Sequence, residues 1–309
     1  MRFAPLMVCP QVATFVPELP DLTIYGERVR ALASGHPLLV LRIHNPFVLR
    51  TVSPPPTDFA GRVLERTSRI GKRIVLHFDG TYFALMHLMR AGRLRWIEVG
   101  RKPPARITLA TFEFAHGTLA FTEAGTKRRA SLHLAQHVEA LASFDAGGLE
   151  PLDIDFGAFA TRLRVANHTL KRALTEPKLF AGVGNAYSDE ILHRARLSPL
   201  ARTQALDEAE LRRLFDAMRA VLSEWTDRLR REAGNAGLPE VTAFRPEMAV
   251  HGRFGLPCPA CRAPVQRIVY ADNETNYCAR CQNEGRVLAD RALSRLLKDN
   301  WPRSIDDFE

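Results

Sequence analysis

Two cysteine pairs near the end of the chain limit its fold more than any other feature. One closes a CPAC run at Cys258 and Cys261, the other a CARC run at Cys278 and Cys281, with sixteen residues between them. Each CxxC turn lets two thiolates face one ion, and Zn²⁺ accepts four in a tetrahedron. Residues 265–270 and 275–277 can form two strands turning at Asp272-Asn273. The spacing therefore predicts a zinc-bound β-hairpin. Four protein ligands leave no open coordination position, so one structural zinc is expected, organising a hairpin rather than activating water. The other reading is two reduced, unmetallated pairs.

Clustered pairs in a chain of 309 residues read as metal ligands rather than disulfides, which predicts a reducing, cytoplasmic setting. The fifth cysteine, Cys9, lies within the first sixteen residues. That leading stretch carries only Arg2 and is broken by Pro5 and Pro10, a poor signal peptide. No run reaches about 18 apolar residues, so no membrane span is expected. A composition of 46% hydrophobic and 25% charged residues argues against a disordered or collagen-like chain.

The net charge of +9 favours anionic partners, nucleic acid first and a membrane surface second. The excess is local. Between Arg62 and Arg106 stand eleven basic residues against Glu65, Asp79 and Glu98. The other reading of such a block is a solvated charged face.

The pattern of apolar residues divides the chain. Leu22, Tyr25, Val29 and Leu32 recur at helical spacing over 18–33. Leu38–Ile43 is a β-rich run, and 74–78 leads through Asp79-Gly80 into 82–88 as a hairpin. A second hairpin is expected over 107–122, turning at His116-Gly117. The stretch 141–156, with Gly147-Gly148 and Pro151, reads as a linker. Beyond it a long apolar stripe through Leu211, Leu214, Met218, Val221 and Trp225 predicts a helix, with Asp207 and Glu210 as its start signal. Leu288, Leu293, Leu296, Leu297 and Trp301 predict a short helix in the tail.

Two further motifs carry chemistry. Gly182-Val183-Gly184-Asn185 precedes a helical run, and a glycine-rich turn opening a helix offers backbone N–H groups to an anion. Lys171, Arg172 and Lys178 upstream strengthen a phosphate reading; a turn serving only tight packing is the alternative. The second motif, Pro17-Glu18-Leu19-Pro20-Asp21, would by itself read as a proline-rich helix entry.

Taken together, these segments resemble the bacterial formamidopyrimidine-DNA glycosylase and endonuclease VIII family. The resemblance covers nearly all of 17–285. It rests on PELPD at 17–21, Gly71-Lys72 heading a strand, and HLMRAGRLRW at 87–96. It continues through NHTLKRALTEPKLFAGVGNAYSDEIL at 167–192 and HGRFGLPCPAC to NYCARCQ over 251–282. It implies an α+β multidomain fold: a β-sandwich with a leading helix (17–140), the linker, a helix–two-turns–helix domain (157–245), a zinc finger (246–285) and a tail helix (286–309). Double-stranded DNA with oxidised bases or abasic sites would lie between the first two domains, bound by a monomer. The implied activity is base excision followed by strand cleavage.

The family's nucleophile is an N-terminal proline amine, which Pro17 matches. Glu18 matches the acid/base and Lys72 the lysine that contacts the lesion-side phosphate. Lys171 and Asn185 match phosphate-contacting positions. Pro17, however, follows sixteen residues, and an internal proline nitrogen is an amide. Translation is therefore expected to begin at Val16, read as methionine from a GTG start and then removed, so that 1–16 is a non-native or removed extension; proteolytic trimming is a second route. The family's gap-filling methionine region reads His87-Leu88-Met89-Arg90. Its arginine–phenylalanine wedge reads Glu123 to Arg129 without the phenylalanine, leaving Arg128 and Arg129 as DNA contacts. Asn273 stands where the zinc hairpin usually carries an arginine that supports δ-elimination, a role Arg267 or Arg280 could assume. The rival readings are a non-catalytic zinc protein that binds damaged or abasic DNA and an RNA-binding zinc ribbon.

Overall fold

The computed structural model describes residues 16–125, 127–234, 237–239, 245–270, 273–288 and 304–308. Residues 1–15 with Cys9, the turn residue Asp272, and most of the expected tail helix lie outside the described residues.

The first helix, α1 (Leu19–Ala33), starts where Glu18 leaves helical geometry at φ −111° and ψ −173°. Asp21 reaches back to accept from the Glu18 N–H at 3.0 Å, and Pro20 sits in the first turn, where its missing N–H costs nothing. Leu22, Tyr25, Val29 and Ala33 form its buried stripe.

Two antiparallel four-stranded sheets follow. One contains β1 (Leu38–Ile43), β5 (Gly92–Ile97), β6 (Thr108–Phe114) and β7 (Gly117–Glu123) in the order β1-β6-β7-β5. The other runs β2-β3-β4-β8, from β2 (Leu64–Ile70), β3 (Arg73–Phe78), β4 (Tyr82–His87) and β8 (Ser131–Gln136). Alternation explains the layering. Ile74, Leu76 and Phe78 of β3, with Tyr82, Ala84 and Met86 of β4, enter the main core. Val75, Phe83 and Leu85 point the other way, into a smaller core closed by Leu141 and Phe144. That second covering makes β3 and β4 apolar on both faces.

The helical half contains α2 (Phe156–Arg164), α3 (Leu170–Thr175), α4 (Asn185–Ala195) and α5 (Glu208–Ala233). The Asp207 side chain caps α5 by accepting from Glu210 N–H at 2.7 Å, and Glu210 returns the bond to Asp207 N–H at 3.1 Å. α1 packs on α5 and β2, so one continuous core runs from the sandwich into the helices. The expected linker is tightly held at one point: Leu149 exchanges backbone bonds with Leu179 and Ala181 at 3.0 and 2.8 Å.

The zinc unit pairs β9 (Gln266–Tyr270) with β10 (Asn273–Tyr277), followed by α6 (Ala279–Gln282). Asn273, expected in the turn, instead opens β10 opposite Tyr270. Ile305 from the tail is buried against this unit, and its N–H donates to Gly285 at 2.8 Å. Among the described residues, no helix is long and apolar enough to cross a membrane.

Candidate active site and nucleic-acid interface

Pro17 is buried, and Glu18 is 1% exposed. They sit where the start of α1 meets the turn before α4: the Leu19 N–H donates to the Gly182 carbonyl at 2.9 Å. Gly182 has φ +79°, and a Cβ there would lie 2.9 Å from Arg69 Nη1. Conformation and space both require glycine. Arg69 is itself tied to Glu150 and, at 2.6 Å, to the Gly71 carbonyl.

The glycine pattern predicts an external anion at the turn that opens α4. The structure corrects this: the turn's donors are taken by Glu18. Gly184 N–H donates to Glu18 Oε2 at 2.6 Å, Ala186 N–H to Oε1 at 2.8 Å and Tyr187 N–H to Oε2 at 3.3 Å. A carboxylate from the sandwich half thus satisfies the open donors and positive end of a helix in the other half.

Lys72 follows the left-handed Gly71 (φ +56°) between β2 and β3 and comes to the same point. A Cβ on Gly184 would fall 2.2 Å from Lys72 Nζ and 2.6 Å from Glu18 Cδ and Oε1. Glu18 and Lys72, fifty-four positions apart, are therefore packed together over one glycine. Burial pushes the Lys72 ammonium below its ordinary pKa. The Glu18 carboxylate opposes that shift, and the Lys171 ammonium adds to it.

Asp21, to which the motif alone gives no role, supports the same corner. It is buried, holds the Glu18 N–H, and takes Arg245 Nη2 at 2.7 Å. Burial lifts its pKa to about 6 against the pull of Arg245.

Lys72 also borders an interdomain cleft of about 380 Å³, lined by Arg73, His87, Phe144, Phe180 and Val183 among others. Burial first, then Arg73, Lys72 and His133, hold the pKa of His87 down to about 4. Its neutral ring accepts the Met89 N–H at Nδ1, 3.1 Å away.

Lys171 and Asn185 stand beside Glu18 on the helical side, but each has an internal partner. Lys171 Nζ pairs with the buried Asp189 and donates to the Asn185 carbonyl at 2.7 Å. Asn185 Nδ2 donates to the Glu274 carbonyl of β10 at 2.7 Å. Asp189 also accepts from His251 Nδ1 at 2.8 Å and Asn276 N–H at 3.2 Å. Its neighbour Glu190 accepts the N–H groups of Ala249, Val250 and His251 at 2.7, 2.9 and 3.0 Å. These consecutive acids lock the zinc unit to α4. Their signal in the sequence is two carboxylates on one helix, which cannot both face solvent if the helix is buried on most sides.

Arg128 and Arg129 are exposed on the loop 124–130, at the end of the sandwich that carries Lys72 and His87. Buried Glu123 anchors the loop by accepting the N–H groups of Arg129 and Ala130 at 2.9 and 3.2 Å. The loop touches the turn after β4, where a Cβ on Gly125 would lie 3.1 Å from Ala91 Cβ. That turn holds Met89 at φ +53°. The two arginines considered as replacements at the zinc hairpin are engaged elsewhere. Arg267 stacks on Phe254 at 4.2 Å and pairs with Glu274 at 3.3 Å, whereas Arg280 pairs with Asp306 at 2.8 Å.

The four cysteine sulfurs lie within 4.8 Å of one another. Cys258 and Cys281 Sγ are 3.9 Å apart, and Cys261 and Cys278 Sγ 3.4 Å. A tetrahedron with Zn–S bonds of about 2.3 Å has edges of roughly 3.8 Å, so the set fits zinc. Burial pushes the Cys281 thiol up to about 12, so a cation is needed to hold it as thiolate. Zinc here is structural, with no ligand position left open. Stripping it with a chelator, or making Cys258→Ser, is expected to melt the hairpin. Structural zinc binding is worth about 10–16 kcal/mol, more than the small core of this unit can replace. Hydrogen exchange should show lost protection over β9 and β10 with α5 unchanged; a metal-free hairpin that stays protected would refute the role.

Three family models match this chain: a formamidopyrimidine-DNA glycosylase N-terminal domain over 16–130, a formamidopyrimidine-DNA glycosylase H2TH domain over 148–229, and a zinc finger found in FPG and IleRS over 255–283. A formamidopyrimidine-DNA glycosylase of Thermus thermophilus is 33% identical over 280 residues, covering 87% of this chain and 100% of the relative. An uncharacterized formamidopyrimidine-DNA glycosylase-like protein of Mycobacterium tuberculosis is 42% identical over 151 residues, 49% of this chain and 94% of that protein. Among solved structures, Lactococcus lactis Fpg in complex with abasic-site DNA superposes with a TM-score of 0.77 at 24% identity, covering 86% of this chain and 99% of the other.

Proposed function

Because the chain belongs to the formamidopyrimidine-DNA glycosylase family, we propose that it removes oxidised bases from double-stranded DNA and then cuts the abasic strand, acting as a monomer. The observation that carries this reading is the Glu18 carboxylate beside Pro17, held by three N–H groups and packed with Lys72 over Gly184.

The damaged nucleotide must first leave the stack, at a cost of a few kcal/mol. The freed Pro17 amine attacks C1′, and the glycosidic bond breaks with its electron pair departing on the base, which takes up a proton. Glu18 protonates the ring oxygen as it leaves C1′, giving an iminium between Pro17 and the opened sugar. That cation acidifies the C2′ proton. Its removal expels the 3′-phosphate by β-elimination, and water hydrolyses the iminium to regenerate the amine. Lys72, its ammonium weakened by burial, serves the phosphate and the proton transfers around the sugar. The proposal extends to β-elimination, since position 273 holds asparagine where the family carries the arginine that supports the second elimination.

Glu18→Gln tests the assignment. The amide cannot donate or take the proton, so excision of an oxidised base should fall by about 10²–10⁴-fold while abasic-analogue DNA is still bound. Undiminished single-turnover excision by this variant would remove Glu18 from the chemistry.

A further inference from the structure

The last turn of α4 carries a histidine that the chemistry at its first turn does not use. His193 is half-buried and brings Nε2 to 3.3 Å from Cys258 Sγ. Cys258 itself is fully buried. The ring lies outside the set of four sulfurs that are within 4.8 Å of one another, so it touches one ligand without joining the cluster. The contact crosses from the helical half to the zinc unit. A second tie runs beside it: Gln282 Nε2 donates to the Leu197 carbonyl at 3.0 Å, just past the end of α4, and Gln282 Oε1 accepts the Cys278 N–H at 2.8 Å. Both cysteine turns are thus pinned to the same helix end, one of them directly through a sulfur.

Charge gives this contact a purpose and a direction. Four thiolates outweigh one Zn²⁺ by two negative charges, and a buried excess of charge is costly unless hydrogen bonds spread it. The site also lies at the C-terminal end of α4, where unpaired carbonyls add negative potential. A metal-bound thiolate has no proton and can only accept, so the shared hydrogen must sit on Nε2. We propose that His193 is a positioning residue of the zinc site, whose Nε2–H holds the metal-bound Cys258 thiolate in place and offsets part of its charge. The inference does not rest on the DNA-repair reading.

The test uses the full chain, with Zn²⁺ affinity read by competition against a chromophoric chelator at fixed pH. His193→Phe keeps a ring of similar size and removes the donor, whereas His193→Gln loses the ring but can place an amide N–H near the same point. Affinity should fall by about 10–100-fold in His193→Phe and stay near wild type in His193→Gln. With Co²⁺ in place of Zn²⁺, the thiolate-to-cobalt charge-transfer band should move to lower energy in His193→Phe alone, because a sulfur lone pair that loses its hydrogen bond is easier to ionise. In zinc-loaded wild type, isotope-labelled histidine, assigned by the signal lost in His193→Gln, should show the ring protonated at Nε2. Wild-type affinity in His193→Phe would overturn the proposal. So would a fall in affinity with an unmoved band, or a His193→Gln variant as weak as His193→Phe, since either would assign the ring to packing. A ring protonated at Nδ1 alone would overturn it without any variant.

Discussion

Protein whose polypeptide begins at Pro17 should be trapped on abasic-site DNA by borohydride, and protein that retains 1–16 should not. The chemistry allows no intermediate result. In the chain as written, the Pro17 nitrogen is joined to Val16 and is a tertiary amide without a basic lone pair. Released, it becomes a secondary amine of the α-amino class, which titrates at about 7.7–8.0 and is partly unprotonated at neutral pH. Only that form can bond to C1′ and give an iminium for borohydride to reduce. Intact mass of protein from native cells should correspond to a chain starting at Pro17. A native chain that keeps 1–16 and binds abasic DNA tightly without cutting it would establish the non-catalytic reading instead. Equal trapping of both forms would point to a different amine, and Lys72 would be the first to replace.

Gly184→Ala should leave the fold intact and remove most of the activity. The added methyl group would occupy space 2.2 Å from Lys72 Nζ and 2.6 Å from Glu18 Oε1. Both are the ends of flexible side chains, so the chain can fold by displacing them, but those displacements fall on the groups proposed to carry the proton transfers. A misplacement of about 1 Å can cost on the order of 10²-fold in rate. We expect a loss of that size in single-turnover excision, with circular dichroism unchanged and abasic-analogue binding largely kept. A wild-type rate would mean that neither side chain needs its present position.

The strands visible in the sequence and those missed differ in a physical way. β3 and β4 are covered on both faces and read as apolar runs, and the α5 stripe with its reciprocal cap is equally plain. β2, β5 and β8 escape such a reading, and all three are sheet edges; the fourth edge, β1, is legible because its run Leu38-Leu39-Val40-Leu41 is apolar. Edge strands carry polar and charged residues that discourage further pairing. In β2 only Leu64 is buried, and β5 alternates Leu94 with Arg93 and Arg95, so basic residues mask a period of two. At the site, motif resemblance brings Pro17, Glu18 and Lys72 forward, but nothing local can show that Glu18 occupies a turn 166 positions away. The same limit hides the commitments of Lys171 and Asn185. A donor-rich turn and a nearby lysine look alike in sequence whether their anion is a phosphate or a carboxylate from the same chain.

The three-bond seat of Glu18 has a mechanical meaning. The acid rides on one lobe and its donors on the other, so the reactive group doubles as a clasp. Prising the lobes apart by little more than an ångström would carry its 2.6, 2.8 and 3.3 Å bonds beyond hydrogen-bonding distance, that of Tyr187 first. Under the proposed mechanism, proton transfer by Glu18 is therefore tied to a shut groove.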